Sequence, residues 1–369
     1  MSDEQALLAV LAIIYFADCV YWIPRSALSV TSWIGRRWRL RFPSTLLGNQ
    51  HGSLALANPI PPLGIASRCQ GWPFCLSPKG VYSPQTATHW SWTKITSVEQ
   101  DERTIRINGK PFHKCSSAYY ARRFAATLWT LSQASAEGRE RQIEARIGES
   151  CDPREAGRKV ESFRSLTRGL RIATNVLFLF LFGICPLLVW RFRLASTLWP
   201  AFLGIYAQTI LIALLFSKAH RLIYPQDATQ IFKPFLTMLL AAPSAIRAQD
   251  ILARPLLEEF HPLAVAKALC SEQEFGELAS TVMRDLHFPF PTTLPNGLDG
   301  ARSTEESFQR LLRDSLIRTL DLASKLPGYL APPARTESVH AKYCPRCRQQ
   351  FTKDALSCPD CGGRELLTF

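Results

Sequence analysis

The sequence predicts an integral membrane protein that combines three α-helical spans with a cytoplasmic α+β domain, a helical segment and a small metal-binding module. Two long apolar runs without charge lie side by side in the middle of the chain, short alternating segments precede them, and four cysteines recur in pairs near the end. The composition agrees with this class. Its 47% hydrophobic and 20% charged residues, with a mean hydropathy of -0.01, lie between those of a typical soluble enzyme and those of a polytopic transporter.

The first predicted span, residues 6–24, is interpreted as a retained N-terminal anchor with the N-terminus outside. Its apolar run LLAVLAIIYF lacks the basic start and the small-residue cleavage site of a secretory signal peptide. Acidic residues precede the run and several arginines follow it, which favours this orientation. Asp18 is interpreted as a carboxylate near the cytoplasmic end of the span, and a functional intramembrane role is the alternative.

The second and third spans are predicted to form a helical hairpin over residues 172–217. Ile172–Trp190 contains nineteen residues without a charge, and Leu194–Ser217 contains twenty-four. Each run is long enough to cross a hydrocarbon core of about 30 Å at about 1.5 Å per helical residue. Because only three residues separate the runs, each helix must satisfy its own backbone hydrogen bonds. Two buried helices of a soluble protein are the alternative.

Basic residues orient the hairpin. Eight lysines and arginines flank its two ends, against two arginines in its turn. Positive-inside bias therefore places both flanks in the cytoplasm and the turn outside. The soluble parts of the chain are expected on the cytoplasmic side of a membrane, which we take to be a bacterial inner membrane.

Residues 231–330 are predicted to form interfacial and cytoplasmic helices. The apolar patch at residues 231–246 is interrupted by a lysine and two prolines, so an interfacial or re-entrant helix is favoured over a fourth span. Further along, Ser303-Thr304-Glu305-Glu306 has the pattern of a capping box and predicts a helix start. Pro327-Gly328 predicts the end of that helix.

Residues 25–150 are predicted to form the cytoplasmic α+β domain. Short strands are indicated by RWRLRF, PFCLS, GVYS, WSWTKITSV and TIRI, and Asn108-Gly109 is a strong hairpin signal. A helix follows, in which Tyr120, Phe124, Leu128 and Leu131 recur on one apolar stripe. Several strands followed by one amphipathic helix are typical of an α+β fold.

The order of LSPKGVYS, WSWTKITSV, TIRINGKPF and a long helix, over about residues 71–135, resembles the small PH-like domains of bacterial membrane proteins. The resemblance implies a strand-rich sheet closed by a C-terminal helix. No phosphoinositide-binding signature is present, so no lipid specificity is implied. Membrane lipid is the expected partner of the basic residues beside the first span, each of which gains about 1 kcal/mol near anionic lipid. These residues are Arg36, Arg37, Arg39 and Arg41.

Four cysteines near the C-terminus have the spacing of a metal site. Cys344 and Cys347 form one C-x2-C pair, Cys358 and Cys361 form a second, and ten residues lie between the pairs. Four thiolates at about 2.3 Å complete a tetrahedral zinc site, so the sequence predicts one structural Zn²⁺. Iron is the main alternative. Two disulfides are disfavoured because this part of the chain is expected in the reducing cytoplasm.

The segment YCPRCRQQFTKDALSCPDCGG resembles the short zinc-ribbon domains attached to many bacterial proteins. The likeness covers about residues 341–364, within a predicted domain of residues 341–369, and all four family ligands are present as cysteines. Protein partners are expected at the ribbon and at the cytoplasmic helices.

No common catalytic motif is readable in the chain: H-E-x-x-H, the P-loop, the dinucleotide glycine fingerprint and G-x-S-x-G are absent. The sequence therefore favours a non-catalytic, membrane-anchored adaptor or assembly subunit over an enzyme. A membrane enzyme or transport component that uses Asp18 and polar residues of the hairpin such as Asn175 and Gln208 is one alternative. A zinc-ribbon nucleic-acid binder is the other, and it is disfavoured because Arg346, Arg348 and Lys353 are its only obvious basic residues.

Overall fold

A computed structural model describes residues 74–83, 86–115, 118–192, 194–225, 231–240, 259–269, 272–289 and 299–369, with Ala6, Val10, Ala245, Ala248, Gln249 and Leu252. The described chain is mixed α+β, mostly helical, with small antiparallel sheets. It divides into one compact unit of residues 1–65, 116–120 and 158–257 and another of residues 66–115, 121–157 and 258–369. Of the predicted N-terminal anchor the structure describes only Ala6 and Val10, and the segment RWRLRF and the arginines at 36, 37, 39 and 41 lie outside the described residues.

The second unit begins with a three-stranded antiparallel sheet of β1 (Cys75–Leu76), β2 (Gly80–Ser83) and β3 (Thr88–Ser91), in that order. The strands predicted in PFCLS and GVYS are confirmed. The Ser77 hydroxyl accepts a hydrogen bond from the Gly80 N–H at 3.2 Å and so closes the turn between β1 and β2. Every residue of β2 is buried, as in a strand that is covered on both faces.

A second three-stranded antiparallel sheet contains β4 (Val98–Asp101), β5 (Thr104–Ile107) and β6 (Lys110–Lys114), also in chain order. The predicted hairpin turn at Asn108-Gly109 is confirmed, because the two residues have φ angles of 51° and 74°. A two-residue type I′ turn requires positive φ at both positions, and Asn-Gly accepts it at low cost. The sheet buries one face, which carries Ile105, Ile107 and Phe112.

The segment WSWTKITSV is not the single strand that its alternation predicts. A 3-10 turn, Trp92–Lys94, separates β3 from β4. Trp92 is buried, and its indole Nε1–H donates to the Ser77 carbonyl oxygen at 2.7 Å, which ties the turn to the loop between β1 and β2. The Asn108 side-chain oxygen accepts hydrogen bonds from two backbone N–H groups just before β4. Tertiary hydrogen bonds therefore override the alternating pattern here.

Three helices follow the strands: α1 (Ala118–Gln133), α2 (Ala136–Ser150) and α3 (Pro153–Leu166). The predicted apolar stripe of α1 is confirmed, since Tyr120, Phe124, Leu128 and Leu131 are all buried. The Phe124 ring packs against Phe74 with ring centroids 5.6 Å apart, so the helix covers the start of the first sheet.

The predicted hairpin is helical along both arms in the first unit. Its first arm consists of α4 (Arg168–Leu179), a π-helical segment (Phe180–Ile184) and α5 (Cys185–Phe192). Its second arm is α6 (Leu194–Ile223), and α7 (Phe232–Leu240) follows within the patch predicted to lie at the interface. Helix α6 packs along α4, α5 and α7.

A glycine lets the two arms of the hairpin approach closely, and the polar side chains of α6 form hydrogen bonds within their own helix. A Cβ at Gly204 of α6 would lie 2.9 Å from Cζ of Phe180, so the ring needs a glycine at this position. Polar side chains of α6 bond to their own helix: the Thr209 hydroxyl donates to the Ile205 carbonyl, and Ser217 does the same toward Ala213. Such bonds satisfy polar groups within an apolar helix.

The helices after residue 258 are α8 (Pro262–Leu269), α9 (Glu272–His287), α10 (Asp299–Thr319) and α11 (Leu326–Leu330). Helix α10 packs on all three strands of the first sheet and on α2, and α9 packs on α8, α10 and α11. The compact unit that contains the strands therefore also contains these later helices.

Two predicted boundaries in this region are wrong. Helix α10 starts at Asp299, so the residues of the predicted capping box lie inside the helix, where Thr304 is buried. The Thr304 hydroxyl oxygen accepts a hydrogen bond from the Ser77 hydroxyl at 3.2 Å and lies 3.1 Å from Nε2 of His89. Thr304 therefore contacts the first sheet and does not cap the helix. Pro327 does not end a helix. It occupies the first turn of α11, where its missing N–H costs nothing.

The C-terminal residues form two small antiparallel sheets. The first contains β7 (Lys342–Tyr343) paired with both β8 (Gln350–Phe351) and β11 (Leu367–Thr368). The second pairs β9 (Ser357–Cys358) with β10 (Arg364–Glu365). These short strands carry two tight turns, and each turn contains one of the predicted cysteine pairs.

Candidate metal centre

The first cysteine turn follows β7. The Cys344 N–H donates to the Gln349 carbonyl, and the Arg348 N–H donates back to the Cys344 carbonyl, both at 2.9 Å. Arg348 has a φ of 64°, in the left-handed region. This conformation reverses the chain immediately after Cys347 and directs both sulfur atoms of the pair to the same side.

The second cysteine turn repeats this arrangement with glycine. The Gly363 N–H donates to the Cys358 carbonyl at 2.9 Å, and Gly362 and Gly363 have φ angles of 69° and 78°. Glycine accepts positive φ without steric cost, so CPDCGG adopts the turn more easily than CPRCR does. The two turns face each other from the two small sheets.

The four sulfur atoms have the spacing of a tetrahedral metal site. The Sγ atoms of Cys344, Cys347, Cys358 and Cys361 all lie within 4.8 Å of one another, and those of Cys347 and Cys358 are 3.6 Å apart. Metal–sulfur bonds of about 2.3 Å in a tetrahedron place sulfur atoms about 3.8 Å apart, so the cluster fits Zn²⁺ with small adjustments. The predicted ligand set is thus brought together as a structural metal site such as zinc.

Burial and local hydrogen bonds determine the acidity of these thiols. Cys347 is the exposed member of the cluster, yet desolvation of its sulfur raises its pKa to about 11, and burial also raises the pKa of Cys361. Burial acts in the same direction on Cys344, but hydrogen bonds from the backbone N–H groups of Cys347 and Arg346 outweigh it and lower the Cys344 pKa. A bound metal ion replaces the remaining protons, so binding releases protons and forms the thiolates.

The ribbon has a very small core of its own. Cys344, Cys358, Cys361 and Leu366 are buried together, and Phe351 and Ala355 pack against them. A cluster of this size cannot offset the conformational entropy of the segment, so the metal is expected to supply most of its folding free energy.

Helix α9 holds the first cysteine turn in place. The Arg346 guanidinium pairs with Asp285 at 2.9 Å, and the two side chains are only 14% and 18% exposed. Arg284 Nε donates to the Arg346 carbonyl at 3.3 Å. The second turn is held as well, because Arg364 donates to the Pro289 carbonyl just beyond α9.

These contacts were not readable from the sequence, since Asp285 lies about sixty positions before its partner Arg346. Two of the three basic residues that a nucleic-acid surface on the ribbon would use are held in contacts within the chain. Arg346 pairs with Asp285, and Arg348 donates to the carbonyls of Ala331 and Pro332.

The helical hairpin formed by α4, the π-helical segment, α5 and α6 exposes large apolar side chains on both arms. Trp190 is 85% exposed and Leu203 is 64% exposed, and many further residues belong to the same surface. They include Ile172, Val176, Leu179, Ile184, Leu187, Phe192, Trp199, Phe202, Ile210, Leu211 and Leu214.

One helix in the described part of the chain, Trp199–Ile223 within α6, is long and apolar enough to cross a membrane. Its mean hydropathy is 1.7, and 22% of its most apolar window is buried. Length and composition alone also admit a core helix of a soluble protein. The three predicted spans are therefore not all seen: only Ala6 and Val10 of the first are described, and the second is divided among α4, the π-helical segment and α5.

The four cysteines are the one group of three or more His, Cys, Asp or Glu residues, among those the structure describes, that is arranged to hold a metal ion. Comparison of the chain with protein-family models, curated proteins and solved structures found no match. The functional assignment therefore depends on the geometry described above.

Proposed function

We propose that this protein is a membrane-anchored, non-catalytic adaptor or assembly subunit that presents a β-rich module and a zinc ribbon to protein partners on the cytoplasmic side. The observation that carries the proposal is the closed four-cysteine centre. Because all four positions of the tetrahedron are protein sulfur atoms, no position remains for a substrate or an activated water. The metal then stabilises a surface and does no chemistry.

The exposed apolar surface of the hairpin supports membrane insertion. Soluble monomers rarely expose apolar patches of more than a few hundred Å². The hairpin presents large side chains from Ile172 to Leu222 on both arms, and basic residues lie beyond both of its ends. We propose that both arms cross the membrane, with residues 6–24 as a third span and the arginine-rich flanks inside.

The two three-stranded sheets and α1 support a PH-like interpretation of the β-rich module. Six short antiparallel strands are followed directly by a helix with one buried stripe. We propose that membrane lipid contacts this module through Arg36, Arg37, Arg39 and Arg41 and orients it beside the bilayer.

The exposed end of the ribbon is the proposed partner surface. Leu356, 83% exposed, lies between β8 and β9, and Leu367 of β11 and Phe369 directly after that strand are also exposed. Since Arg346 is held by Asp285 and Arg348 by backbone carbonyls, neither side chain is free to bind a phosphate, and a protein partner is favoured over nucleic acid. The transport alternative would use Asn175 and Gln208, and the Oε1 atom of Gln208 is buried without a hydrogen-bond partner among the described residues.

Site-specific photo-crosslinking in native membranes tests the adaptor proposal. A photoreactive residue at position 356 of the full chain is expected to give discrete protein adducts. The same residue combined with Cys358→Ser should lose them, and a photoreactive residue at the exposed Lys110 of β6 serves as the control position. If position 356 gives no adduct, or the same adducts with and without Cys358, the ribbon is not a zinc-dependent partner surface.

A further inference from the structure

The C-terminal end of α9 reaches the backbone of the first cysteine turn. Besides its bond to the Arg346 carbonyl at 3.3 Å, the Arg284 guanidinium donates to the carbonyl of Tyr329 in α11 at 3.5 Å. It also donates to the hydroxyls of Ser280 and Thr281 on its own helix. Arg346 directly precedes Cys347, so Arg284 holds the peptide that positions one of the four sulfur atoms.

Positive charge accumulates at this junction. Three half-buried arginines lie here: Arg284, Arg346 and Arg348. Asp285 pairs with Arg346. In the described part of the chain the Arg348 side chain donates to the carbonyls of Ala331 and Pro332, and its Nε is buried without a hydrogen-bond partner. No ion pair of Arg284 or Arg348 with a carboxylate occurs among the residues that the structure describes.

Two like charges in a half-buried setting oppose each other. Burial and the Arg348 charge lower the pKa of Arg284, whereas the Asp285 carboxylate and the Cys347 sulfur act in the opposite direction. Among the residues that the structure describes, Asp285 is the one carboxylate that acts on these arginines, and it is already paired with Arg346, so the group is short of negative charge.

A zinc ion bound by four thiolates is a dianion, and it would supply that missing charge. We infer that Arg284 of α9 is a positioning residue of the metal centre: with Arg348 it compensates the charge of the zinc–thiolate cluster, and through the Arg346 carbonyl it orients Cys347. This inference rests on the proposed zinc site. It makes α9 a part of the metal centre, although the helix contributes no ligand.

A consequence is that zinc loading is coupled to the order of α9 and α11. The zinc-free ribbon lacks the negative charge that balances Arg284 and Arg348, so like-charge repulsion is expected to loosen the junction. Zinc then stabilises the helices that the ribbon contacts as well as the ribbon itself.

The rate of zinc release tests the inference on the full-length, zinc-loaded protein. Release to an excess of chromogenic chelator is measured for the wild type, Arg284→Gln, Arg284→Lys and the control Arg310→Gln, an exposed residue of α10. Mutation of a residue that supports the ligands of a metal centre without binding the metal typically lowers the metal affinity about 10- to 100-fold. We expect Arg284→Gln to release zinc at least about tenfold faster, Arg284→Lys to recover most of the loss, and the control to match the wild type.

A spectroscopic measurement separates charge compensation from general loss of structure. Removal of a nearby positive charge raises the energy of the thiolate electrons, so in the Co²⁺-substituted protein the sulfur-to-cobalt charge-transfer band of Arg284→Gln should shift to longer wavelength. Arg284→Lys should keep the wild-type band. Zinc release by Arg284→Gln within twofold of the wild type, or a lysine variant as fast as the glutamine variant with the same band, would overturn the inference.

Failure of this inference can be distinguished from failure of the adaptor proposal. If the wild-type protein binds neither zinc nor cobalt through its four cysteines, the metal centre fails and this inference fails with it. If the metal binds and Arg284→Gln behaves as expected, but position 356 gives no adducts, only the adaptor proposal fails.

Discussion

Acid should destabilise the β-rich module because His113 of β6 is buried in its uncharged form. The imidazole is 6% exposed, its Nδ1 lies 3.2 Å from the Ser83 hydroxyl, and the Phe74 ring packs edge-on against it. Burial lowers its pKa from 6.5 to about 4. The unfolded chain therefore binds more protons than the folded chain between these two values, and stability must fall as the pH falls below about 6.5.

The size of the effect follows from the two pKa values. A shift from 6.5 to about 4 gives a loss of about 2 kcal/mol at pH 5 and about 3 kcal/mol at pH 4, relative to pH 7.5. His261 acts in the same direction, because complete burial lowers its pKa to about 3. Its Nδ1 accepts the Leu263 N–H at the start of α8, and protonation would remove that cap.

Hydrogen-exchange mass spectrometry on the full chain, corrected for intrinsic exchange rates, measures this loss. Peptides that cover β5 and β6 should lose about two orders of magnitude in protection between pH 7.5 and pH 4, which corresponds to the 3 kcal/mol above. In His113→Gln the amide replaces the imidazole beside Ser83, so protection is expected to be lower at pH 7.5 and less dependent on pH. His340→Gln, outside the two sheets, is the control.

Two results would refute the reasoning. Equal protection of β5 and β6 at pH 7.5 and pH 4 in the wild type would mean that His113 is not held neutral. An unchanged pH dependence in His113→Gln, matching that of His340→Gln, would assign the acid sensitivity to other groups.

Four further outcomes are expected. Cys358→Ser should lose metal and unfold the ribbon, where structural zinc supplies on the order of 10 kcal/mol, and metal analysis that still finds one equivalent would contradict this. Phe308→Ala in α10, where the ring is 1% exposed, should cost about 3–5 kcal/mol in denaturant unfolding of the second unit, and a loss below 1 kcal/mol would mean that α10 is peripheral. Gly80→Ala should destabilise the first sheet by about 1–3 kcal/mol, because its Cβ would lie 2.6 Å from the Trp90 carbonyl oxygen; wild-type thermal stability would exclude that clash. In anionic nanodiscs the amides of residues 36–41 should exchange more slowly than in neutral ones, and the difference should vanish in high salt; equal exchange would exclude electrostatic docking.

Local signals predicted the parts of the fold that local physics determines. The cysteine spacing, the Asn108-Gly109 turn, the buried stripe of α1 and the helical arms of the hairpin each depend on residues close together in sequence, and the structure contains all four. The predicted domain boundaries at residues 150, 231, 330 and 341 stay predictions.

Long-range contacts account for what the sequence could not predict. The break between β3 and β4 depends on the bond from Trp92 to the Ser77 carbonyl, and the early start of α10 accompanies contacts of Thr304 with Ser77 and His89. No sequence motif marks Arg284 and Asp285, because they contact Arg346 only when α9 packs against the ribbon in the folded chain. Neither periodicity nor residue spacing predicts a contact between residues so far apart in the sequence.

The central proposal is that the hairpin crosses the membrane, with its turn on the outer side and the β-rich module and the ribbon on the cytoplasmic side. Cysteine accessibility in intact cells tests this topology most directly. Single variants Phe192→Cys at the turn, Glu140→Cys in α2 and Leu356→Cys in the ribbon are treated with a membrane-impermeant thiol reagent, and labelling is resolved by peptide. The account predicts labelling at 192 in intact cells, and at 140 and 356 only after lysis. Labelling at 140 or 356 from outside, or at 192 only after lysis, would contradict it.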